Sequence, residues 1–349
     1  MLIKELKLYN YRNYARKNVV FDPELNIIVG PNGIGKTNIL ESIIVVSNTK
    51  SFRTNNDQNL IKKDCEYSKI ELFSDTDRYK VVISNKSKSL FINDSLIRKS
   101  SEFIGKLNAI LFKPNDLEIF VQAPNERRKV LDIEISKVSP SYIQALLSYN
   151  YLLKDKNKLL KETEVDETLL TVINESMEPL IKTMLEERDS FFKVINQHLS
   201  NIYNKIAAAD SEIRIVYKKC CETDEIRNRL IEAKDKDFYY HYSTFGPHHD
   251  DYYFLMDDRE LNSIASQGQK RMTLIAFKFA LIEYIKEKTG KIPIVLLDDI
   301  LSELDRNNQE RLLSIMPADA QVIITNTDIK DLNITKKYRL IDLKEDMHV

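Results

Sequence analysis

The chain has 349 residues, more than the roughly 100–200 of a typical domain, so we expect two lobes. Its 52 basic and 53 acidic residues give a net charge of −1, which provides no general attraction to DNA or to an anionic membrane. Three cysteines without metal-ligand spacing and no apolar run of roughly 18 residues predict a cytoplasmic protein without a membrane partner.

Residues 1–112 predict the N-terminal half of a nucleotide-binding lobe. "LIKELKLYNYRNY" alternates like a strand, with Leu2, Lys4, Leu6 and Leu8 on one face. "LNIIVG" leads into a glycine-rich turn, and "KTNILESIIVVSNT" then has helical spacing. The short alternating runs "YSKIELFS", "YKVVISN" and "SLFIND" predict an added antiparallel sheet.

Residues 113–244 predict an inserted α-helical hairpin lobe. Ser139 and Pro140 are a good N-cap and first-turn pair for its first helix. The second helix repeats apolar residues at steps of three and four, with Arg188 as its one polar position and a kink expected at Pro179. This hairpin fits a projecting arm or a bundle packed on itself, and we favour the arm.

Residues 245–349 predict the C-terminal half of the nucleotide-binding lobe. "QGQKRMTLIAFKFALIEYIKEKTG" has the pattern of a helix that ends at Gly290, and "NNQERLLSIMP" predicts another helix. "IPIVLLDDI", "QVIITNT" and "YRLIDLK" predict strands, the first two of them buried on both faces. The fold class is therefore α/β, with a doubly wound sheet interrupted by the insertion.

The turn after the first buried run matches the phosphate-binding pattern G-x-x-x-x-G-K-[ST]. Its glycines allow the backbone N–H groups to surround an anion, and the following helix directs its positive end there. Lys36 can reach the β- and γ-phosphates, and the Thr37 hydroxyl can bind Mg²⁺. The alternative is a glycine-rich turn without function. The predicted ATP-binding residues are Gly30, Pro31, Asn32, Gly33, Ile34, Gly35, Lys36, Thr37 and Asn38.

An acidic pair follows the apolar run "IVLL". Asp298 stands at the carboxyl end of this strand, the edge at which open α/β sheets bind ligands. We predict that Asp298, with Thr37, holds Mg²⁺ and that Asp299 contacts the attacking water, so that Lys36, Asp298 and Asp299 are the catalytic residues. The alternative for the pair is helix capping.

"SQGQKR", from Ser266 to Arg271, stands directly before a helix. A second glycine-containing helix N-terminus predicts a second phosphate-binding surface. An ordinary capped helix is the alternative, since serine and glycine are common at such positions.

The order of these motifs resembles the ABC-type ATPase head of SMC proteins. "GPNGIGKTN" is followed by "SQGQ" in the manner of the ABC signature, then by "LLDD" and by "SELD" in the manner of a D-loop. "LYNYRNY", "LFKPNDL", "NERRKVLD", "SYNYLLKDKN" and "GPHHDD" are similar to segments of the RecF family of bacterial recombination mediators, over almost the whole chain. The short helical insertion also fits RecF proteins, since SMC proteins have much longer coiled coils.

This resemblance implies a site shared between two protomers. Ser266, Gly268 and Gln269 would close over the ATP of a partner, and Asp305 would lie across the interface. Arg12 and Asn13 would lie beside the nucleotide. Most ABC heads have a glutamate where Asp299 stands, and a histidine where this chain has 325–327, so the switch residue stays open.

The resemblance also implies a function: a weak DNA-dependent ATPase used as a switch. ATP would drive homodimerisation on double-stranded DNA near single-strand gaps. RecR and RecO would act with it to load RecA, in DNA repair, replication and the SOS response. The alternatives are an SMC-like head in chromosome organisation and the motor of a membrane transporter.

Local basic clusters could contact DNA phosphates. They occur at 62–63, 127–129, 154–158 and 218–219. A solvated surface is the alternative for each of them.

The run from His248 to Asp251 has a composition that could bind a metal. Four consecutive side chains cannot easily face one ion, so we favour a structural or interface loop.

Overall fold

The computed structural model describes residues 1–329, 334 and 337–344, without the side chains of Asn115 and Glu303. The chain folds into two compact units. The first unit comprises Met1–Leu117, Asn201–Asp210 and Arg271–Val349, and the second comprises Glu118–Ser200 and Ser211–Lys270. In this described part, no helix is long and apolar enough to cross a membrane.

The described strands are, in chain order, β1 Ile3–Tyr11, β2 Tyr14–Val20, β3 Leu25–Val29, β4 Tyr67–Ser74, β5 Arg78–Ser84, β6 Lys88–Ile92, β7 Ser95–Ile97, β8 Ala109–Phe112, β9 Ile213–Lys218, β10 Asp251–Met256, β11 Arg259–Glu260, β12 Ile294–Asp298, β13 Val322–Asn326 and β14 Arg339–Asp342. The described α-helices are α1 Lys36–Asn48, α2 Ser100–Phe103, α3 Pro124–Ser136, α4 Pro140–Leu159, α5 Glu167–Ala207, α6 Ile226–Glu232, α7 Lys234–Tyr240, α8 Leu261–Ile264, α9 Gln267–Thr289 and α10 Arg306–Ser314.

A five-stranded sheet in the order β14-β3-β13-β12-β8 forms the centre of the first unit, and all its pairings are parallel. Every residue of β3, β8, β12 and β13 is buried. The continuous apolar runs predict the burial of β12 and β13 correctly. Sequence reasoning missed β8, whose four residues "AILF" are too short to show a pattern.

A six-stranded antiparallel sheet, in the order β2-β1-β4-β5-β6-β7, confirms the added sheet expected in the N-terminal half. One hydrophobic core lies between this sheet, α1 and the parallel sheet. Leu6 of β1, Ile70 of β4, Ile43 of α1, Leu296 of β12 and Ile323 of β13 all belong to it. The core thus holds α1, whose first residue belongs to the phosphate-binding motif, between two sheets.

Strand β1 departs from its predicted pattern. Ile3 is buried, whereas Lys4 is exposed and Leu2 is half-buried. The register with β4 shifts between Ile3 and Glu5, and such a β-bulge turns Ile3 to the face of Leu6. The face predicted for Leu2 and Lys4 is therefore wrong.

The second unit contains a sheet as well as helices. Strands β11, β10 and β9 form an antiparallel sheet, and β10 pairs with β9 from Asp251↔Lys218 to Met256↔Ile213. This pairing keeps the segment after residue 244 with the helical region, so the compact units do not follow the predicted boundary there. The sequence did not indicate β9.

Helix α5 is packed within its unit from residue 167 to residue 200. The Phe192 ring stacks on Tyr217 of β9 at 4.9 Å between centroids. Asn196 donates to the Ile215 carbonyl at 2.9 Å, and near the helix start Glu167 pairs with Lys234 at 2.8 Å. These contacts favour the packed alternative over a projecting arm.

Candidate nucleotide-binding site

Three neighbouring strands of the parallel sheet end at the candidate site. The sheet order places β13 between β3 and β12, and the three run in the same direction. Val29 pairs with Asn326, and Thr325 pairs with Asp298. The loop after β3 and the acidic end of β12 therefore meet at the carboxyl edge of the sheet, where ligands of such folds bind.

The loop after β3 depends on its glycines. Gly30, Gly33 and Gly35 have φ angles of +157°, +81° and +119°, which favour glycine. A Cβ on Gly35 would also lie only 2.5 Å from the Tyr14 hydroxyl oxygen. Gly35 is the N-cap of α1, so the first N–H groups of the helix face the loop and favour an anion there.

Lys36 is buried at the start of α1, with 4% exposure. Its Nζ donates to the carbonyl oxygens of Gly30 and Pro31, at 2.8 and 3.3 Å. The ammonium group therefore lies inside the loop, where phosphate oxygens could replace the two carbonyls as acceptors.

A chain of amide side chains supports the loop from outside. Asn13 donates to the Ile34 carbonyl at 2.8 Å, and Asn38 donates to the Asn13 side chain at 2.8 Å. Arg53 in turn donates to Asn38 at 2.8 Å. Asn32 is exposed on the same loop. Asn13 thus contacts the phosphate-binding loop through the backbone carbonyl of Ile34.

Asp298 joins the two distant motifs. The Thr37 hydroxyl donates to Asp298 Oδ1 at 3.0 Å, across 261 positions of sequence, and the Thr325 hydroxyl donates to the same oxygen at 2.8 Å. Burial raises the pKa of Asp298, and the hydrogen bonds from Thr325 and Thr37 oppose this rise. A hydroxyl and a carboxylate this close form a pair of oxygen donors of the kind that Mg²⁺ prefers.

Asp299 is held differently. It has a φ of +50°, a left-handed conformation that residues other than glycine rarely adopt. Its Oδ1 is buried without a hydrogen-bond partner among the described residues. Burial raises the pKa of Asp299, the nearby Lys36 ammonium opposes the rise, and the Asp298 carboxylate adds to it. An unpaired buried acceptor at a sheet edge is what a site for water would require.

Arg12 lies at this end of the first unit, but its guanidinium is hydrogen-bonded to other protein groups. Its Nε and Nη2 donate to both carboxylate oxygens of Glu41, at 2.8 and 2.6 Å, and Nη1 donates to the Asn59 carbonyl at 2.8 Å. Glu41 is fully buried on α1 and also accepts from Ser51 at 2.6 Å. Arg12 therefore supports α1.

Sequence reasoning missed two residues of the site, Arg53 and Thr325. Arg53 is exposed and lies 3.8 Å from Glu41, and its charge opposes the rise that burial causes in the pKa of Asp298. No local pattern marks it, because its neighbours come from α1. Thr325 was noted only as a replacement for histidine. A polar residue ending a buried strand was the signal that could have identified it.

The signature segment belongs to the second unit. Ser266 accepts from the Gln269 amide at 3.2 Å, and the Gln269 side chain accepts from the Ser266 amide at 2.9 Å, which is a capping box at the start of α9. Lys270 donates to the carbonyl and side chain of Asn262, at 2.9 and 3.0 Å. Ser266, Gly268 and Gln269 are all accessible to solvent. The helix is therefore capped, as the alternative expects, and the cap leaves the three signature residues accessible to solvent.

Asp305 has a local role. Its carboxylate accepts from the Asn308 amide at 3.0 Å and caps α10. This hydrogen bond is the main cause that lowers the pKa of Asp305.

Asp250, in the loop from His248 to Asp251, belongs to a buried hydrogen-bond network around Arg188. The Arg188 guanidinium donates to Asp250 Oδ2 at 2.6 Å, to Asp132 Oδ1 at 2.8 Å and to the Pro247 carbonyl at 2.8 Å. Asp250 also accepts from the Tyr217 hydroxyl. Arg188, the one polar position in the apolar stripe of α5, therefore links the loop that contains Asp250 to Asp132 of α3.

The histidines of this loop also have protein partners. His248 Nδ1 lies 2.5 Å from the Tyr149 hydroxyl, and its Nε2 lies 3.1 Å from the Ser243 carbonyl. Burial, with the neighbouring His249, lowers the pKa of His248 to about 4. In the described residues no group of His, Cys, Asp or Glu has the geometry of a metal site. The contacts favour a structural loop.

Comparisons with known proteins identify the family of this chain. Residues 2–347 match the family described as the RecF/RecN/SMC N terminal domain. The chain is 35% identical over 339 residues to the DNA replication and repair protein RecF of Lachnoclostridium phytofermentans, which covers 95% of this chain and 94% of that protein.

Solved structures agree on the fold. A structure of the recombination mediator protein RecF with ATP, in the RecFOR pathway, has a TM-score of 0.88 and 27% identity over 95% of this chain and 93% of that chain. The Smc head domain of Pyrococcus furiosus has a TM-score of 0.54 and 18% identity, over 95% and 92% of the two chains, which shows similarity of fold alone. The expected ABC-type ATPase head is confirmed, and the chain belongs to the RecF family of DNA replication and repair proteins.

Proposed function

We propose that this chain is an ATP-switched DNA-binding protein that dimerises when ATP is bound and separates after slow hydrolysis. The observation that carries the proposal is the 3.0 Å hydrogen bond between Thr37 and Asp298, which completes a phosphate-binding loop with the acid it requires. The RecF relative solved with ATP supports the choice of nucleotide.

The residues present fit ATP and Mg²⁺. Thr37 and Asp298 would hold the cation through oxygen atoms, and Lys36 would exchange its carbonyl acceptors for the β- and γ-phosphates. When bound, ATP supplies the phosphoanhydride bond that is hydrolysed, and Mg²⁺ supplies positive charge that offsets the negative charge of the phosphates. Asp299 orients a water molecule through its unpaired Oδ1. Because aspartate is shorter than the glutamate of most ABC heads, slow turnover follows.

Two residues predicted to lie beside the nucleotide support the site in this proposal by contacting other protein groups. Asn13 positions the loop through the Ile34 carbonyl, and Arg12 holds α1 through Glu41. Arg53 is an exposed cation at this end of the first unit, with 45% of its side chain accessible, and is better suited to contact nucleotide.

The site is completed by a partner protomer. Ser266 uses a lone pair to accept from Gln269, so its hydroxyl proton can be donated to a γ-phosphate of the partner. The N-terminus of α9, with Gly268 exposed beside it, adds its positive end. Asp305 would reach the partner from its capping position.

DNA binding is proposed through phosphates, on local positive surface. Several predicted cluster residues are already engaged: Arg127 pairs with Asp251 at 2.6 Å, and Lys129 with Glu126 at 2.7 Å. Lys156 of the next cluster is fully buried. Lysines with accessible side chains are better candidates: Lys63, Lys154, Lys158 and Lys218.

In the cell we propose binding to duplex DNA near single-strand gaps, with RecR as partner and RecO alongside in loading RecA. These roles require the cytoplasm, where bacterial DNA lies. An SMC-like head in chromosome organisation is less well supported, because a RecF protein is 35% identical over nearly the whole chain, whereas the Smc head is 18% identical and shares the fold alone.

The test is ATP-dependent oligomerisation measured by light scattering, with and without a gapped duplex. The unmodified chain should double its mass with ATP, and Lys36→Met should stay at its nucleotide-free mass. Lys50→Met is the matched control, since Lys50 is exposed just beyond the C-terminal end of α1 and lies outside the phosphate-binding motif and the basic clusters. Equal masses for the unmodified chain with and without ATP would exclude the switch.

A further inference from the structure

Thr325 lies between the phosphate-binding strand and the acidic strand. It stands in β13, which pairs with β3 on one side and β12 on the other, and it is fully buried. Its register partner in β12 is Asp298.

One hydroxyl contacts both acidic residues. Thr325 Oγ1 donates to Asp298 Oδ1 at 2.8 Å and accepts from the Asp299 amide at 3.1 Å. The Leu297 carbonyl lies farther away, at 3.5 Å. A hydroxyl has a single proton, so donation to Asp298 and acceptance from Asp299 can be made together.

The two contacts fix different features of the site. The first fixes the side-chain rotamer of Asp298, which Thr37 also contacts. The second fixes the backbone of Asp299, whose left-handed φ of +50° needs support from its surroundings.

We infer that Thr325 is a positioning residue that sets the metal-binding carboxylate and the water-orienting carboxylate through one hydroxyl. This inference rests on the proposed function. It differs from γ-phosphate sensing by histidine, because the Thr325 hydroxyl is already occupied by protein atoms. When Thr37 turns towards a cation, Thr325 is the donor that remains to hold Asp298.

The test compares Thr325→Val, which keeps the shape and removes the hydroxyl, with Thr325→Ser, which keeps the hydroxyl. ATP affinity is measured with Mg²⁺ and with EDTA, and kcat and KM are measured separately. Outer-shell partners of ligands typically contribute 10–100-fold in affinity or activity. We expect Thr325→Val to lose about 10–100-fold in kcat and about 10-fold in the Mg²⁺-dependent part of ATP affinity. Affinity in EDTA should stay within about two-fold, and Thr325→Ser should stay within about three-fold on every measure, since neither hydroxyl contact is then lost.

A second readout uses the nucleotide-free protein. Hydrogen exchange of the Asp299 amide should accelerate by about ten-fold or more in Thr325→Val and not in Thr325→Ser. If Thr325→Val does not fold, Thr325→Cys replaces it and should show lower kcat and faster exchange of the Asp299 amide than Thr325→Ser, because a thiol is a weaker donor and acceptor.

Wild-type kcat and Mg²⁺ dependence in folded Thr325→Val would overturn the inference, and so would equal losses in Thr325→Val and Thr325→Ser. Failure of the unmodified chain to bind ATP would instead overturn the proposed function.

Discussion

The nucleotide site and the Arg188 network are two clusters of buried charge in one chain, and they differ in how their polar atoms are satisfied. Arg188 makes four hydrogen bonds to Tyr142, Asp132, Asp250 and the Pro247 carbonyl. Asp299, by contrast, buries an oxygen that has no partner in the described part of the chain. Buried polar groups are normally paired, so the first cluster is built for stability and the second for a ligand.

The comparison predicts opposite effects on stability. In the Arg188 network, removing a charge leaves its partners buried and unpaired. At the nucleotide site, removing a charge relieves an existing cost. The same chemical change should therefore destabilise one unit and stabilise the other.

The largest effect is expected for Arg188→Met, which fits the helix but cannot pair with Asp132 or Asp250. Breaking a buried pair typically costs about 3–5 kcal/mol, so the free energy of unfolding should fall by that amount. Denaturant unfolding followed by circular dichroism measures it. Lys154→Met is the control, since Lys154 is exposed on α4 of the same unit, and it should change stability by less than about 0.5 kcal/mol. Equal stability of Arg188→Met and the unmodified chain would show that the network is not structural.

Asp299→Asn should separate stability from activity. Hydrolysis should fall about 10²–10³-fold, as for other preorganised groups at reacting centres, and the ATP-bound dimer should live longer. The nucleotide-free melting temperature should rise by about 1–2 °C, because a partly buried carboxylate with a raised pKa disfavours folding while it is ionised.

The size of this rise depends on pH. The cost of the Asp299 charge is complete above its raised pKa and absent below the ordinary value of 3.8, where both folded and unfolded chains are protonated. The difference in melting temperature should therefore disappear as pH falls below that value. A melting temperature lower than that of the unmodified chain at pH 7 would contradict an unsatisfied carboxylate.

The smallest effect on stability is expected for Gly268→Ala. Gly268 has a helical backbone, and an added Cβ would meet only the Ser266 hydroxyl, at 3.9 Å. The isolated chain should gain up to about 0.5–1 kcal/mol, because alanine favours helix over glycine. Association with ATP should nevertheless weaken if a phosphate of the partner approaches this backbone. Normal ATP-dependent association, measured by analytical ultracentrifugation, would remove Gly268 from the interface.

Local patterns predicted one of these clusters much better than the other. "GPNGIGKT" and "IVLLDD" carry their chemistry in consecutive residues, so both halves of the nucleotide site could be identified from the sequence. Their meeting follows from sheet order, since parallel strands bring their carboxyl ends to one edge. The hydrogen bond from the Thr325 hydroxyl to Asp298 could not be predicted, because it depends on the register between β12 and β13.

The Arg188 network was hidden for a related reason. The sequence marked Arg188 as an interruption of an apolar stripe and Asp250 as part of a histidine-rich loop, 62 positions away. Nothing local connects them, and β9, which brings Tyr217 to Asp250, was itself missed. The short β8 and the bulge in β1 were lost in the same way, because pairing across the chain determines them.

The most direct test of the central claim, that each ATP is held by the loop of one protomer and the signature of the other, is a mixing experiment. Lys36→Met impairs the loop, and Gly268→Arg places a bulky side chain on the exposed signature. Each variant alone should remain monomeric with ATP in light scattering. An equimolar mixture should form a dimer, because one composite site is then intact. A mixture that stays monomeric although both variants fold, or dimerisation of Lys36→Met alone, would contradict the account.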